Sequence, residues 1–263
     1  MKMLCLVMLC LGNVLGDVWY PDSLSSRQQN VYDSVIATVA HPQNDGMLKS
    51  FLETDELARR LANYAAWQSH MNYPTEFVTR RVSDRISLFI PSDTVEKHSF
   101  SLPEYILGDP QEGVQVVVFV SSNCPHCKRY AIPLYEEIRQ ATGDAISYAA
   151  LPINLIIADR GLIAAARMGF FWELFTAYGD IRGRIEDEEL FDAVEDLGYS
   201  LSDFVHILDA EEQKISAEIE RNRTQAESAG LEFVPTFFIN GREYTGAMDS
   251  RWILDYIDFI SER

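Results

Sequence analysis

Cysteine is scarce in this chain, with four residues in 263. Cys5 and Cys10 fall in an N-terminal segment expected to be removed, which leaves Cys124 and Cys127 in the mature protein. A fold stapled by several disulfides is thereby excluded. Histidine is sparse as well. His41, His70, His98 and His206 are scattered and form no second ligand pair, so a four-ligand zinc site has no candidate residues. The two thiols alone leave a soft-metal site for Cu(I) as an alternative. Positive charge is in deficit, with 22 Lys and Arg against 40 Asp and Glu, a formal net charge of −18. Such acidity argues against a nucleic-acid partner and says little about fold. Long apolar runs are missing: the stretch 3–11 is far too short to span a bilayer, and no other segment qualifies. Neither a Gly-rich phosphate loop nor a Ser-His-Asp arrangement is visible.

What is present begins with Lys2 and the apolar stretch 3–11. Val14 and Gly16 suit positions −3 and −1 of a cleavage site before Asp17. Residues 1–16 therefore read as a secretory signal peptide, and the mature protein is expected to be periplasmic or secreted. Residues 17–98 read as an N-terminal helical module. Val31, Val35, Ile36 and Val39 recur at helical spacing, and Leu57, Leu61, Tyr64, Ala65 and Met71 share a face behind a Thr54 cap. Tyr73–Pro74 ends that helix. Residues 76–90 hold a further short helical or mixed stretch, and 91–103 read as a linker.

From residue 99 the pattern changes. The β-branched run 114–121 predicts a buried strand. A helix over 124–142 follows, with Pro133 as a kink and Gly143 as its stop. A second strand over 145–151 ends at Pro152. Residues 160–178, 187–198 and 202–229 read as helical. A third strand over 233–240 leads through the Asn240–Gly241 turn into 242–245. The helix 250–260, with Trp252, Ile253, Tyr256, Ile257 and Ile260 apolar, closes the chain. The aromatic clusters 170–175 and 252–259 read as core. Asn222-Arg223-Thr224 matches a glycosylation acceptor and reads as incidental.

Cys124-Pro125-His126-Cys127 stands where the first strand meets its helix. Unpaired backbone N–H groups and the dipole at a helix N-terminus stabilise a thiolate, the species that attacks disulfides. Redox chemistry is the expected use of the pair.

The chain resembles the DsbA-like branch of the thioredoxin superfamily, exported thiol-disulfide oxidoreductases of bacteria, over roughly residues 104–263. Four pieces carry the resemblance: the Cys-Pro-His-Cys motif after an apolar strand, the segment Gly169-Phe170-Phe171-Trp172-Glu173-Leu174-Phe175, the run Val234-Pro235-Thr236-Phe237-Phe238-Ile239-Asn240-Gly241, and Tyr244-Thr245-Gly246-Ala247. It implies an α/β, thioredoxin-like fold over 99–263 with an inserted helical subdomain at about 158–229, preceded by the helical module. Cys124 would be the exposed nucleophile and Cys127 the shielded resolving thiol, with Pro125 and His126 between them and His126 tuning Cys124. Pro235 would be cis, with Val234 offering its backbone to an extended substrate. No cofactor is implied beyond the redox-active Cys124–Cys127 disulfide, and no metal.

Two departures stand out. Val118 occupies the strand position where oxidase members often carry a buried acid. The N-terminal module is absent from simple monomeric oxidases. Leu57, Leu61, Tyr64 and Ala65 either pair copies into a homo-oligomer or pack on the chain's own catalytic domain. The expected activity is introduction of disulfides into reduced or unfolded exported proteins, with a membrane redox partner to reoxidise the dithiol. An oligomeric isomerase or reductase, and a Cu(I)-binding or surface assembly protein, are the alternatives.

Overall fold

The computed structural model describes residues 20–39, 55–89, 96–111, 113–246 and 248–261. The expected signal peptide, Thr54 and residues 90–95 of the helical stretch and linker lie outside them. The contacts divide the chain into two compact units. One is built on Lys97–Tyr244 with Met248–Ser250. The other gathers residues of 12–96 with Thr245–Ala247 and Arg251–Arg263.

The first unit is organised by β1 (Val114–Val120), a run of β-branched and aromatic residues buried on both faces. β2 (Ile146–Pro152) lies parallel to it, with Val116 opposite Tyr148. β3 (Thr236–Ile239) runs antiparallel on its other side, with Val118 opposite Phe237, and β4 (Arg242–Glu243) pairs with β3. The sheet order is β2-β1-β3-β4. β2 runs one residue beyond its expected end. Ile153 N–H donates to Val120 O, so alternation turns the missing donor of Pro152 to the outer side, where no ladder bond is lost. Leu107 and Tyr148 exchange two backbone hydrogen bonds, which occupy part of that outer edge. Asn240 and Gly241 both have positive φ, as the two-residue hairpin turn requires. A Cβ on Gly241 would lie 2.2 Å from His98 O, so glycine is needed twice over there.

Behind β1 the chain forms a π turn, Cys127–Ala131, and then α4 (Ile132–Thr142), the three earlier helices belonging to the second unit. Pro133 has no N–H to give, and in a regular helix its ring would crowd the carbonyl four residues back. The wider turn relieves this, and Ile132 N–H reaches back five residues to Cys127 O. The insertion comprises α5 (Ile157–Arg167), α6 (Phe171–Ala177), α7 (Asp187–Asp196), α8 (Leu201–Ala210) and α9 (Glu212–Ser228). Two stretches read as single helices are each broken, at residues 168–170 and at Glu211. One sheet face packs Val117, Phe119, Ala149, Leu151 and Phe238 with Ala226 of α9. On the other, Tyr148 meets Tyr135 of α4 and Trp172 of α6. Asn222 is buried and its Nδ2 donates to Pro152 O at 3.1 Å, so it is a core amide and presents no acceptor for a glycan.

The second unit holds α1 (Ser26–Val39), α2 (Asp55–His70), α3 (Thr75–Phe89) and the length of α10 (Ser250–Ser261) from residue 251 onward. Its centre is charged. The buried Arg85 guanidinium lies 4.7 to 5.2 Å from the rings of Tyr64, Phe89 and Trp252 and meets Asp255 at 2.6 Å. Arg60 pairs with the same Asp255 and with Asp258 at 2.9 Å. Leu61, Tyr64 and Ala65, for which self-association and packing within the chain are the two readings above, are buried within the chain. The closing helix, expected in the domain 99–263, is grouped with α1, α2 and α3. Its apolar face of Trp252, Tyr256 and Phe259 packs on Tyr64, Trp67 and Phe89. Among the described residues, no helix is long and apolar enough to cross a membrane.

Candidate functional site

The site forms where β1 ends. Ser121 O accepts the Cys124 N–H at 2.9 Å, and Cys124 O accepts from Lys128 N–H at 3.2 Å, so the motif opens the helical segment directly. Pro125 and His126 are exposed on that first turn, and the His126 ring lies parallel to Tyr130 with centroids 6.1 Å apart. Cys124 is partly exposed and Cys127 is buried, 2 % exposed.

The two sulfurs have different company. Cys124 Sγ donates to Val234 O at 3.5 Å. Cys127 Sγ accepts from Ser121 N–H at 3.5 Å. Burial pushes the Cys127 thiol far up, against the pull of the Ser121 N–H, and the neighbouring Cys124 and Asp159 push the same way. A buried thiolate is costly unless something supplies a proton or a counter-charge.

The Val234–Pro235 peptide bond is cis. Pro235 is buried and precedes β3, so it lies outside the ladder, and the strand is shorter than the expected 233–240. Thr236 Oγ1 donates to Phe233 O at 2.7 Å and closes the turn. Phe233 itself is 64 % exposed. The structure thus brings Cys124, Cys127 and Val234 together, with Pro125 and His126 on the outer rim.

Side chains on both sides of the motif clamp one loop of the insertion. Asn123 accepts from Ile185 N–H at 2.7 Å and donates to Ile185 O at 3.3 Å. Lys128 Nζ donates to Gly183 O at 2.8 Å and to Ile181 O at 3.1 Å. One residue escaped the sequence reading. Asp159, in the first turn of α5, is wholly buried and accepts from Ser122 N–H at 2.7 Å and Asn154 N–H at 3.0 Å. Burial lifts its carboxyl to about 6, against the pull of those donors. The signal was there to read: a lone acid inside the run Leu155-Ile156-Ile157-Ala158, followed by Leu162 to Ala166. Among the described residues, no group of three or more His, Cys, Asp or Glu converges as metal ligands.

A family model described as thioredoxin matches residues 101–258. In fold the chain is similar to the thiol-disulfide exchange protein alpha-DsbA2 from Wolbachia pipientis (TM-score 0.53, 20 % identity, 69 % of this chain and 95 % of that one). It is similar too to a thioredoxin-like oxidoreductase from Silicibacter pomeroyi (TM-score 0.53, 21 % identity, 68 % and 98 %). The Na(+)/H(+) antiporter NhaA of Herminiimonas arsenicoxydans is 28 % identical over 154 residues, 57 % of this chain and 24 % of that protein. The chain spans about a quarter of the length of the curated relatives it matches.

Proposed function

The chain belongs to the thioredoxin family, and from that premise we propose that it is an exported thiol-disulfide oxidoreductase that introduces disulfides into reduced proteins. One observation carries the reading: a partly exposed Cys124, its sulfur against the Val234 carbonyl, is followed within one turn by a buried Cys127. A substrate thiolate attacks the Cys124 sulfur of the Cys124–Cys127 disulfide. The S–S bond breaks, its electron pair leaves on Cys127, and a mixed disulfide joins substrate to Cys124. A second substrate thiolate then attacks the substrate sulfur, and Cys124 leaves as thiolate. The substrate loses two electrons and the cysteine pair gains them.

The cysteine pair is itself the redox group. Substrate backbone docks at Val234 ahead of Pro235, and the exposed Phe233 gives an unfolded chain an apolar contact. His126, on the outer rim, favours the reduced pair. A membrane redox partner reoxidises the dithiol. Ion transport forms no part of this reading, since the likeness to the antiporters covers about a quarter of their length.

Reduced, unfolded ribonuclease mixed with the oxidised protein tests the reading. The wild type should restore activity, Cys124→Ser should restore none, and Cys127→Ser should accumulate a mixed disulfide on a non-reducing gel. Reactivation of scrambled ribonuclease without oxidation of the reduced form would assign an isomerase and overturn the donor reading.

A further inference from the structure

We propose that Asp159 exchanges a proton with the buried thiol: its carboxyl protonates Cys127 when the Cys124–Cys127 bond opens and takes the proton back when the bond closes. This rests on the oxidoreductase reading and adds a residue to it.

The need comes from burial. When the disulfide opens, the electron pair arrives on a sulfur that is 2 % exposed and held by a single backbone N–H from Ser121. Bulk water cannot solvate that charge, so a proton must come from a nearby group. Lys128 is turned away, its Nζ held by the carbonyls of Ile181 and Gly183. His126 is exposed. Asp159 is the buried carboxyl whose charge is felt at Cys127.

The backbone ties the two groups together. Ser121 and Ser122 are consecutive residues beyond the end of β1. The N–H of the first donates to Cys127 Sγ, and that of the second donates to Asp159 Oδ1. The Ser122 side chain is buried and, like the Ser122 N–H, favours the Asp159 carboxylate. The groups acting on Asp159 are Ser122 and Asn154, and Asp159 acts in turn on Cys127 of the π turn and Tyr178, just beyond α6. Tyr178 donates its hydroxyl to Ala158 O at 3.0 Å and not to the carboxyl. A carboxyl titrating at about 6 is populated in both forms near neutral pH, which an acid used in both directions requires.

The step balances. The substrate thiolate brings one negative charge and bonds to Cys124. The S–S electron pair moves to Cys127, the proton passes from Asp159 to Cys127, and the negative charge ends on the Asp159 carboxylate.

The test is the rate at which a reduced model dithiol opens the oxidised, full-length protein, measured by stopped flow from about pH 4 to 9 and corrected for ionisation of the attacking thiol. Wild type should show a break near pH 6. Asp159→Asn should lose that break and run about 100-fold slower at the acid end, the lower range for general acid catalysis. An Asp159→Asn protein with the wild-type rate and profile would overturn the proton role and leave the oxidoreductase reading standing. A wild type that exchanges at no pH would overturn both. If Asp159→Asn fails to fold, carbonyl NMR of Asp159 in the wild type decides. Its midpoint should differ between disulfide and dithiol forms, because each site biases the other's proton; equal midpoints refute the coupling.

Discussion

A buried carboxyl leaves a mark on stability as well as on chemistry. Asp159 holds its proton up to about 6 in the folded chain, against an ordinary 3.8. Its contribution is therefore whole below about pH 3, where both states are protonated, and is lost as pH rises from there through 6. The loss comes to about 3 kcal/mol at about 1.4 kcal/mol per unit. Unfolding of wild type and Asp159→Asn in urea should show it directly. Between about pH 3 and 7 the wild type should lose about 3 kcal/mol relative to the variant, and a constant difference would contradict the assignment. Residues like Cys124 and Cys127 announce themselves by spacing alone. The burial of Asp159 is legible in the apolar run around it, but its place at the site is not, because Ser122 lies 37 residues away in sequence and meets it only after β1 and α5 are packed.

Among the elements, the edge of β2 depends on one glycine. Gly108 has a φ of +69°, and a Cβ there would sit 2.2 Å from Ile146 O, beside the Leu107–Tyr148 bridge. Gly108→Ala should lower stability by about 2–4 kcal/mol, combining the left-handed penalty with a backbone clash. Thermal unfolding reads this out, and a change below about 1 kcal/mol would mean the bridge is dispensable. The elements themselves were largely legible. The β-branched run of β1, the turn at Asn240–Gly241 and the helix stop at Gly143 all stand where composition places them. The errors have physical causes. Gly169 and Glu211 break helices that apolar periodicity runs straight through. Pro133 was readable as a kink, but its resolution into a π turn depends on a five-residue hydrogen bond, which leaves no period in the sequence. The apolar face of α10 said that it is buried and could not say against what.

Across the whole molecule, charge and connectivity set the behaviour. A net charge of −18 makes the folded chain repel itself. The midpoint of thermal unfolding should rise as sodium chloride goes from about 10 mM to 300 mM and the Debye length shrinks below about 10 Å; no rise would show that the acids are dispersed enough to be harmless. The helical unit answers to a buried pair instead. Asp255→Asn should remove about 3–5 kcal/mol, because it strips a charge from between two arginines, one of them wholly buried. Tryptophan fluorescence during urea unfolding reports it from Trp67 and Trp252, 5.2 Å apart, and a loss under about 1 kcal/mol would count against the network. That pair also imposes a timetable. Lys97–Tyr244 is one continuous stretch, whereas the helical unit needs residues of 12–96 and of 251–263 together. On a ribosome adding about 5–20 residues each second, the sheet-bearing unit has all its strands and can close first. The helices made earliest finish last, docking on Trp252 and Asp255 only once the tail of the message has been read.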